Sequence, residues 1–201
     1  MKDKTPHILL GLYIVEFIIF GIAPYHRGVW WAENIPIMLI VAAAVIISKY
    51  FRFTPTAYIM MFFLIFFHTI GGHYTFERVP FSFVSDLFGF ERNHFDRMAH
   101  FTVGFYAYPI AEVLLKRKLV NTKWVLYLFP VFAIFTVAAL YELFEWIFAI
   151  STDPEAGMTV LGSQGDIWDA QKDMLSDGLG AITATLLFYI VNRKEISEKI
   201  K

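Results

Sequence analysis

Apolar residues along this chain gather into long blocks, and the polar stretches between them are short. A helix needs roughly 20 mostly apolar residues to cross a bilayer. Six stretches meet or approach that length: about 7–24 (HILLGLYIVEFIIFGIAP), 35–51 (IPIMLIVAAAVIISKYF), 55–72 (PTAYIMMFFLIFFHTIGG), 95–115, 123–150 and 167–192. Pro55 opens the third, where its ring suits a first helical turn. The first block lacks a short apolar core followed by a small-residue cleavage site, so it reads as a span and not as a removable signal. No repeat, low-complexity tract or long linker divides the chain. The pattern predicts one all-α domain, 1–201: a polytopic membrane bundle of six transmembrane helices.

Two of the connections are long. GGHYTFERVPFSFVSDLFGFERNHF follows the third span, and its middle, Phe81–Phe90, is too short to cross yet rich in aromatics. An extra interfacial or re-entrant helix is expected there. STDPEAGMTVLGSQGD follows the fifth span and reads as a loop from its Gly and Pro. Pro109 and Pro130 are expected to kink the fourth and fifth spans.

Composition agrees with this reading. The 201 residues are 57% hydrophobic and only 17% charged, with mean hydropathy +0.54, against about 45–50% and 25% in ordinary soluble domains. Twenty-two Phe and ten Tyr exceed what a soluble globule of this size can bury. A soluble enzyme and a disordered chain are excluded. Seventeen basic against eighteen acidic residues leave no field to attract a polyanion, so no nucleic-acid partner is expected. With no Cys there is no disulfide, thiolate metal site or Cys nucleophile.

The distribution of Lys and Arg sets the expected orientation. One side takes 12 of them, among them Lys2, Lys49, Arg52, Lys116, Lys123, Arg193 and Lys201; the other takes Arg27, Arg78, Arg92, Arg97 and Lys172. Both termini are therefore expected in the cytoplasm, with the long loops outside.

Ionisable residues within a span are expensive, on the order of 2.5–3.5 kcal/mol each, and usually face the bundle interior. Asp166, Asp169, Asp173 and Asp177 fall at i, i+3, i+7 and i+11, one helix face. Asp96 and His100 are i, i+4 partners, Glu142 and Glu145 i, i+3 neighbours, and His68, His73 and His94 belong to the same outer half. So many carboxylates cannot all stay ionised at low dielectric without cations or shared protons. Arg92, Arg97, Lys172, protonated His or a metal are the partners on offer. Imidazole with carboxylate suits zinc, manganese or iron.

Plainer readings stand beside this one. Asp96 with Arg97 can form a salt bridge, and Asp166 and Asp169 can serve a helix N-terminus. His73 and His94 can be solvated, and Glu16 is expected to find a Tyr or Ser partner. Gly178, Gly180 and Ala184 are read as packing residues, and His7 and His26 as surface.

GGHYTFERVP (71–80), RNHFDRMAHFTVGF (92–105), YELFEW (141–146) and LGSQGDIWDAQKDM (161–174) together resemble the YjdF-like family of bacterial inner-membrane proteins. The resemblance spans nearly the whole chain. It implies a bacterial plasma-membrane location but brings no established activity. Its motif positions add Asn93, Gln164 and Gln171 to the polar cluster. DRMAHF, YELFEW and DIWDAQKDMLSDGLGA are also similar, more loosely, to the VanZ-like proteins.

Two functional classes follow. In the first, His100, Asp96 and Asp173, with His73 and Glu142, hold a divalent metal. Glu145 acts as general base, Arg97 and Arg92 clamp a phosphate, and the substrate is a lipid or lipid-linked phosphate hydrolysed or transferred at the outer leaflet. In the second, the same groups relay protons or a cation in a lipid or ion transporter or binding protein. Membrane lipids are the expected partners in both. The orientation is directly testable: green fluorescent protein fused after Lys201 fluoresces in intact cells, whereas alkaline phosphatase fused there stays inactive.

Overall fold

A computed structural model describes residues 3–200; Lys2 and Lys201 of the charge count lie outside them. Among the described residues every regular element is helical: α1 (Thr5–Phe20), α2 (Arg27–Ile47), α3 (Pro55–Tyr74), α4 (Ser82–Phe88), α5 (Phe95–Val103), a 3₁₀ turn (Gly104–Tyr106), α6 (Ala107–Lys116), α7 (Lys123–Ser151), α8 (Pro154–Leu161) and α9 (Asp169–Lys199). Four of these, α2, α3, α7 and α9, are long and apolar enough to cross a membrane; α1 is apolar but shorter. The expected fourth span is interrupted. Pro109 has no N–H to give to the carbonyl four residues back, and the chain tightens into the 3₁₀ turn just before it. Pro130 is carried inside α7 without ending it.

Two expectations need correction. The second helix begins at Arg27 and not near 35, because His26 is extended and its Nδ1 accepts a hydrogen bond from Val29 N at 3.2 Å, an N-cap. Residues 27–34 are thereby helical, and Glu33 and Asn34 are buried. His26 is thus a cap. The stretch after the fifth span is not all loop: Asp153 caps α8 by accepting from Ala156 N at 2.9 Å, Pro154 takes the first helical position, and Gly162 closes it at φ 58°. Ala156 and Val160 of α8 then pack with Val29 of α2 and Phe148 of α7. α4 forms inside the Phe81–Phe90 stretch and buries none of its residues; Phe83, Leu87 and Phe88 all lie open.

α9 is the axis of the bundle, packing on α5, the 3₁₀ turn, α6 and α7, while α3 packs on α1 and α2. The approach of α5 to α9 is backbone to backbone. A Cβ on Gly180 would overlap the Phe101 carbonyl oxygen, and one on Gly104 would overlap the α9 backbone at Asp177 and Ala181. The main core lies toward the basic end, where Tyr108, Leu126, Phe188 and Ile196 are fully enclosed. There Glu112 of α6 accepts from Thr54 N (2.9 Å) and Thr54 Oγ1 (2.8 Å) and pairs with Lys116 at 2.5 Å, clamping the start of α3. Substituting Gly180→Val forces the two backbones apart. It is expected to cost on the order of 1–3 kcal/mol, read as an earlier thermal transition in detergent than a Leu179→Val control at an exposed position.

Candidate functional site

At the end of the bundle opposite the Glu112 clamp, α9 presents Asp169, Asp173 and Asp177 on one face, all more than nine-tenths buried. Asp166 sits in the turn before the helix, its Oδ1 accepting from Trp168 N (3.1 Å) and its Oδ2 from Lys172 Nζ (2.6 Å). The Lys172 hydrogen bond holds the Asp166 carboxyl below the usual carboxylate range. Whatever its ionised form contributes to stability is present above the unfolded pKa and lost as pH falls through the lower folded one.

The guanidinium groups opposite pair with these carboxylates. Arg97 of α5 bridges Asp169, Asp173 and, at 3.5 Å, Asp166. Arg92 donates from Nη1 to Asp169 Oδ1 at 2.6 Å and to the Ser163 carbonyl at 3.3 Å, with its Nη2 3.7 Å from Asp96. Arg97 therefore pairs with α9 and not with its neighbour Asp96. Asp96 turns to His100.

His100 is the hinge of the geometry. Its Nδ1 lies 3.3 Å from Asp177, a residue 1% exposed, while its Nε2 lies 3.7 Å from Asp96 Oδ1 and 3.8 Å from Asp173 Oδ1. One ligand atom each from Asp96, His100 and Asp173 lie within 4.8 Å of one another. Tetrahedral coordination at about 2.0–2.1 Å places ligand atoms ~3.3 Å apart, so the two distances from His100 Nε2 need to close by only about half an ångström to hold a metal ion. An imidazole whose second nitrogen is fixed by a carboxylate is the arrangement that orients metal-binding histidines.

Beside this group is a cavity of about 100 Å³ bounded by α2, α3, α5, α7, α8 and α9. Glu33, Asp96, Glu145 and Asp177 line it with His68 and His100, and among the described residues no Lys or Arg does. Its far wall is a chain that sequence reading missed: Tyr141 donates to Glu33 Oε2 at 3.0 Å, and His68 Nε2 meets the same oxygen at 3.0 Å. The Tyr141 ring stands between the two imidazoles, with centroids 6.3 Å from His68 and 6.4 Å from His100. Glu33 was hidden because its segment reads as a loop until the His26 cap is recognised. The available signal was the i, i+4 spacing of Val29, Glu33 and Ile37, all three buried.

The remaining expected residues have other places. His73 is not brought to the Asp96–His100–Asp173 group; its Nδ1 lies 2.8 Å from the Phe20 carbonyl and its ring packs edge-on to Phe20 and Tyr74. Glu142 also stays outside it, with Oε1 buried and lacking a hydrogen-bond partner. Asn93 and Gln164 stitch the two long connections together: Asn93 N donates to Gln164 Oε1 at 2.9 Å, and Gln164 Nε2 to Asn93 O at 3.1 Å. His94 packs on Phe90 at 4.4 Å, and burial, then Arg92 and Arg97, push its pKa down, keeping it neutral. Gln171 is exposed. Glu16 is buried, and neither carboxylate oxygen finds the Tyr or Ser partner expected for it.

The chain matches the family described as "Predicted membrane protein (DUF2238)" over residues 5–194. It is 32% identical over 169 residues to the Inner membrane protein YjdF of Escherichia coli (strain K12), covering 83% of this chain and 80% of that protein. No solved structure matches it. The chain belongs to the DUF2238 family of predicted membrane proteins.

Removing Arg97 alone would strand Asp173, while Asp169 keeps Arg92, a loss of about 3–5 kcal/mol for a broken buried pair. In a double-mutant cycle, Arg97→Gln combined with Asp173→Asn is expected to be less destabilising in detergent than the sum of the two single changes.

Proposed function

We propose that this DUF2238 protein crosses the bacterial plasma membrane six times and holds one divalent metal ion at Asp96, His100 and Asp173 near its outer face. We propose further that the ion serves hydrolysis or group transfer on a lipid or lipid-linked phosphate. The observation that carries the metal reading is the double engagement of His100. Asp177 takes Nδ1, which leaves the Nε2 lone pair directed between two further aspartates.

Charge balance supports it. This end of the bundle gathers Glu33, Asp96, Glu142, Glu145, Asp166, Asp169, Asp173 and Asp177 against Arg92, Arg97 and Lys172. Even with His68 and His100 protonated, acids remain in excess, and burial makes an uncompensated charge expensive. A nitrogen-plus-oxygen ligand set suits zinc, manganese or iron. When bound, such an ion lowers the pKa of a coordinated water to about 7 and polarises a phosphoryl oxygen.

The chain's own residues then divide the work. Asp177 fixes the His100 ring and Glu145, across the cavity, accepts the proton of the attacking water. Arg92 and Arg97 position the α9 aspartates, so the phosphate clamp first expected of them is not part of this reading. Six spans follow if α5, the 3₁₀ turn and α6 count as one: Phe95 to Lys116 covers about 33 Å at 1.5 Å per residue, enough for a hydrocarbon core of ~30 Å. The open aromatic face of α4 suits an interfacial helix past which a lipid enters sideways. The basic end faces the cytoplasm by the distribution of Lys and Arg. A second reading, cation or lipid handling without chemistry, draws on the absence of any Lys or Arg among the cavity's lining residues.

The deciding experiment is metal content by inductively coupled plasma mass spectrometry on detergent-purified protein. Near-stoichiometric zinc, manganese or iron is expected in wild type and is lost in His100→Ala and Asp173→Asn. Folded wild-type protein, supplied with each metal and still empty, would overturn the metal site. If metal is bound, Glu145→Gln should retain it while losing lipid-phosphate turnover.

A further inference from the structure

The acidic cavity has a counterpart below it. A second cavity of about 250 Å³ lies between α1, α2 and α3 toward the basic end, with His7, Tyr13, Ser48, Arg52 and Tyr58 in its wall. The two cavities are stacked on one seam. On α2, Ile37 and Ile40 line the upper cavity and Val41 and Ala44 the lower; on α3, Leu64 lines the upper and Ile65 the lower. What divides them is a single packed layer, the buried cluster of Tyr13, Ile37, Leu64 and Ile65.

Glu16 belongs to that layer's surroundings. It lies three residues after Tyr13 on the same face of α1, and these two are the buried residues of that helix. Glu16 is 6% exposed, both of its oxygens lack a hydrogen-bond partner, and so does the Tyr13 hydroxyl. An ionisable side chain left unpartnered inside a membrane bundle is costly and calls for a reason. The metal site supplies none, since Glu16 belongs neither to it nor to the wall of either cavity and sits between them, one turn above Tyr13. Both cavities set a few polar side chains in largely apolar walls and have room for several waters, so the fully packed layer is the dry step between them.

We propose that the α1–α2–α3 seam is a proton path joining the basic end of the bundle to the acidic cavity, with Glu16 as the carrier at the dry layer. The Glu16 carboxylate takes a proton from water in the lower cavity and becomes a neutral carboxylic acid. It releases that proton upward, to water or to the Glu33–His68 pair, and returns to the carboxylate. Only O–H and N–H bonds form and break. The layer is too apolar for a hydrated metal ion, which confines the traffic to protons. This path stands independently of the metal.

The test uses the full chain in liposomes holding a pH-sensitive dye, with a potassium diffusion potential set by valinomycin. Wild type is expected to move protons faster than protein-free liposomes, and Glu16→Gln to fall to that background while keeping its elution profile and its metal content. Wild-type flux no faster than empty liposomes, or undiminished flux in Glu16→Gln, overturns the path. Should Glu16→Gln fail to fold, the cysteine-free sequence offers a second reading from single replacements. Ala44→Cys should react with an impermeant maleimide from the basic side of sealed vesicles only, and Leu64→Cys from the opposite side only. Reaction of both from one side, or failure of either to react from its expected side, overturns the two-chamber arrangement on which the path rests.

Discussion

Arg97 reaching across from α5 to Asp169 and Asp173 of α9 is the interaction to which the rest of the polar end is tied. Carboxylates taken out of water must be compensated at hydrogen-bond range, because a buried partnerless charge costs several kcal/mol. That requirement fixes how far apart α5 and α9 can lie. The distance is short enough that only glycine fits where they cross, at Gly104 and Gly180. The same closeness brings His100 onto Asp177 and turns Asp96 inward. Charge compensation, small residues and the His100 geometry are three consequences of one approach.

Much of this was legible in the order of residues. The i, i+3, i+7 and i+11 aspartates, the Asp96–His100 pair and Glu145 can be placed at one end by counting along helices, and the structure finds Asp96, His100 and Asp173 together there. What could not be read was which helix lies opposite which. His73 is the same residue type as His68 and lies about 7.5 Å further along α3, yet it turns to a backbone carbonyl of α1 while His68 turns to Glu33. The difference is a rotation of about 140° around α3, five residues at 100° each, and only the neighbours decide what each direction meets. Glu33 and α8 were missed for a different reason. Both depend on caps, His26 and Asp153, whose side-chain hydrogen bonds convert polar, loop-like sequence into helix.

The two ends of the bundle handle charge in opposite ways. At the basic end a single buried acid, Glu112, is satisfied completely by Thr54 and Lys116 and does nothing beyond fastening α3 to α6. At the other end the acids outnumber their partners, and a buried oxygen of Glu142 lacks a hydrogen bond. A finished network rigidifies; an unfinished one marks where something else is to be held. The contrast within one small protein makes the incomplete end stand out more than its composition alone does.

The aspartates of α9 also bear on how the protein is made. This helix follows α5 in the chain and is made after it, and Asp173 and Asp177 lie buried along it. Its compensating groups, Arg97 and His100, belong to a helix translated nearly eighty residues earlier. On its own, α9 enters lipid against the penalty of two carboxyl groups. Beside α5 it enters with their partners already waiting, so the later helix is guided into place by the site it completes.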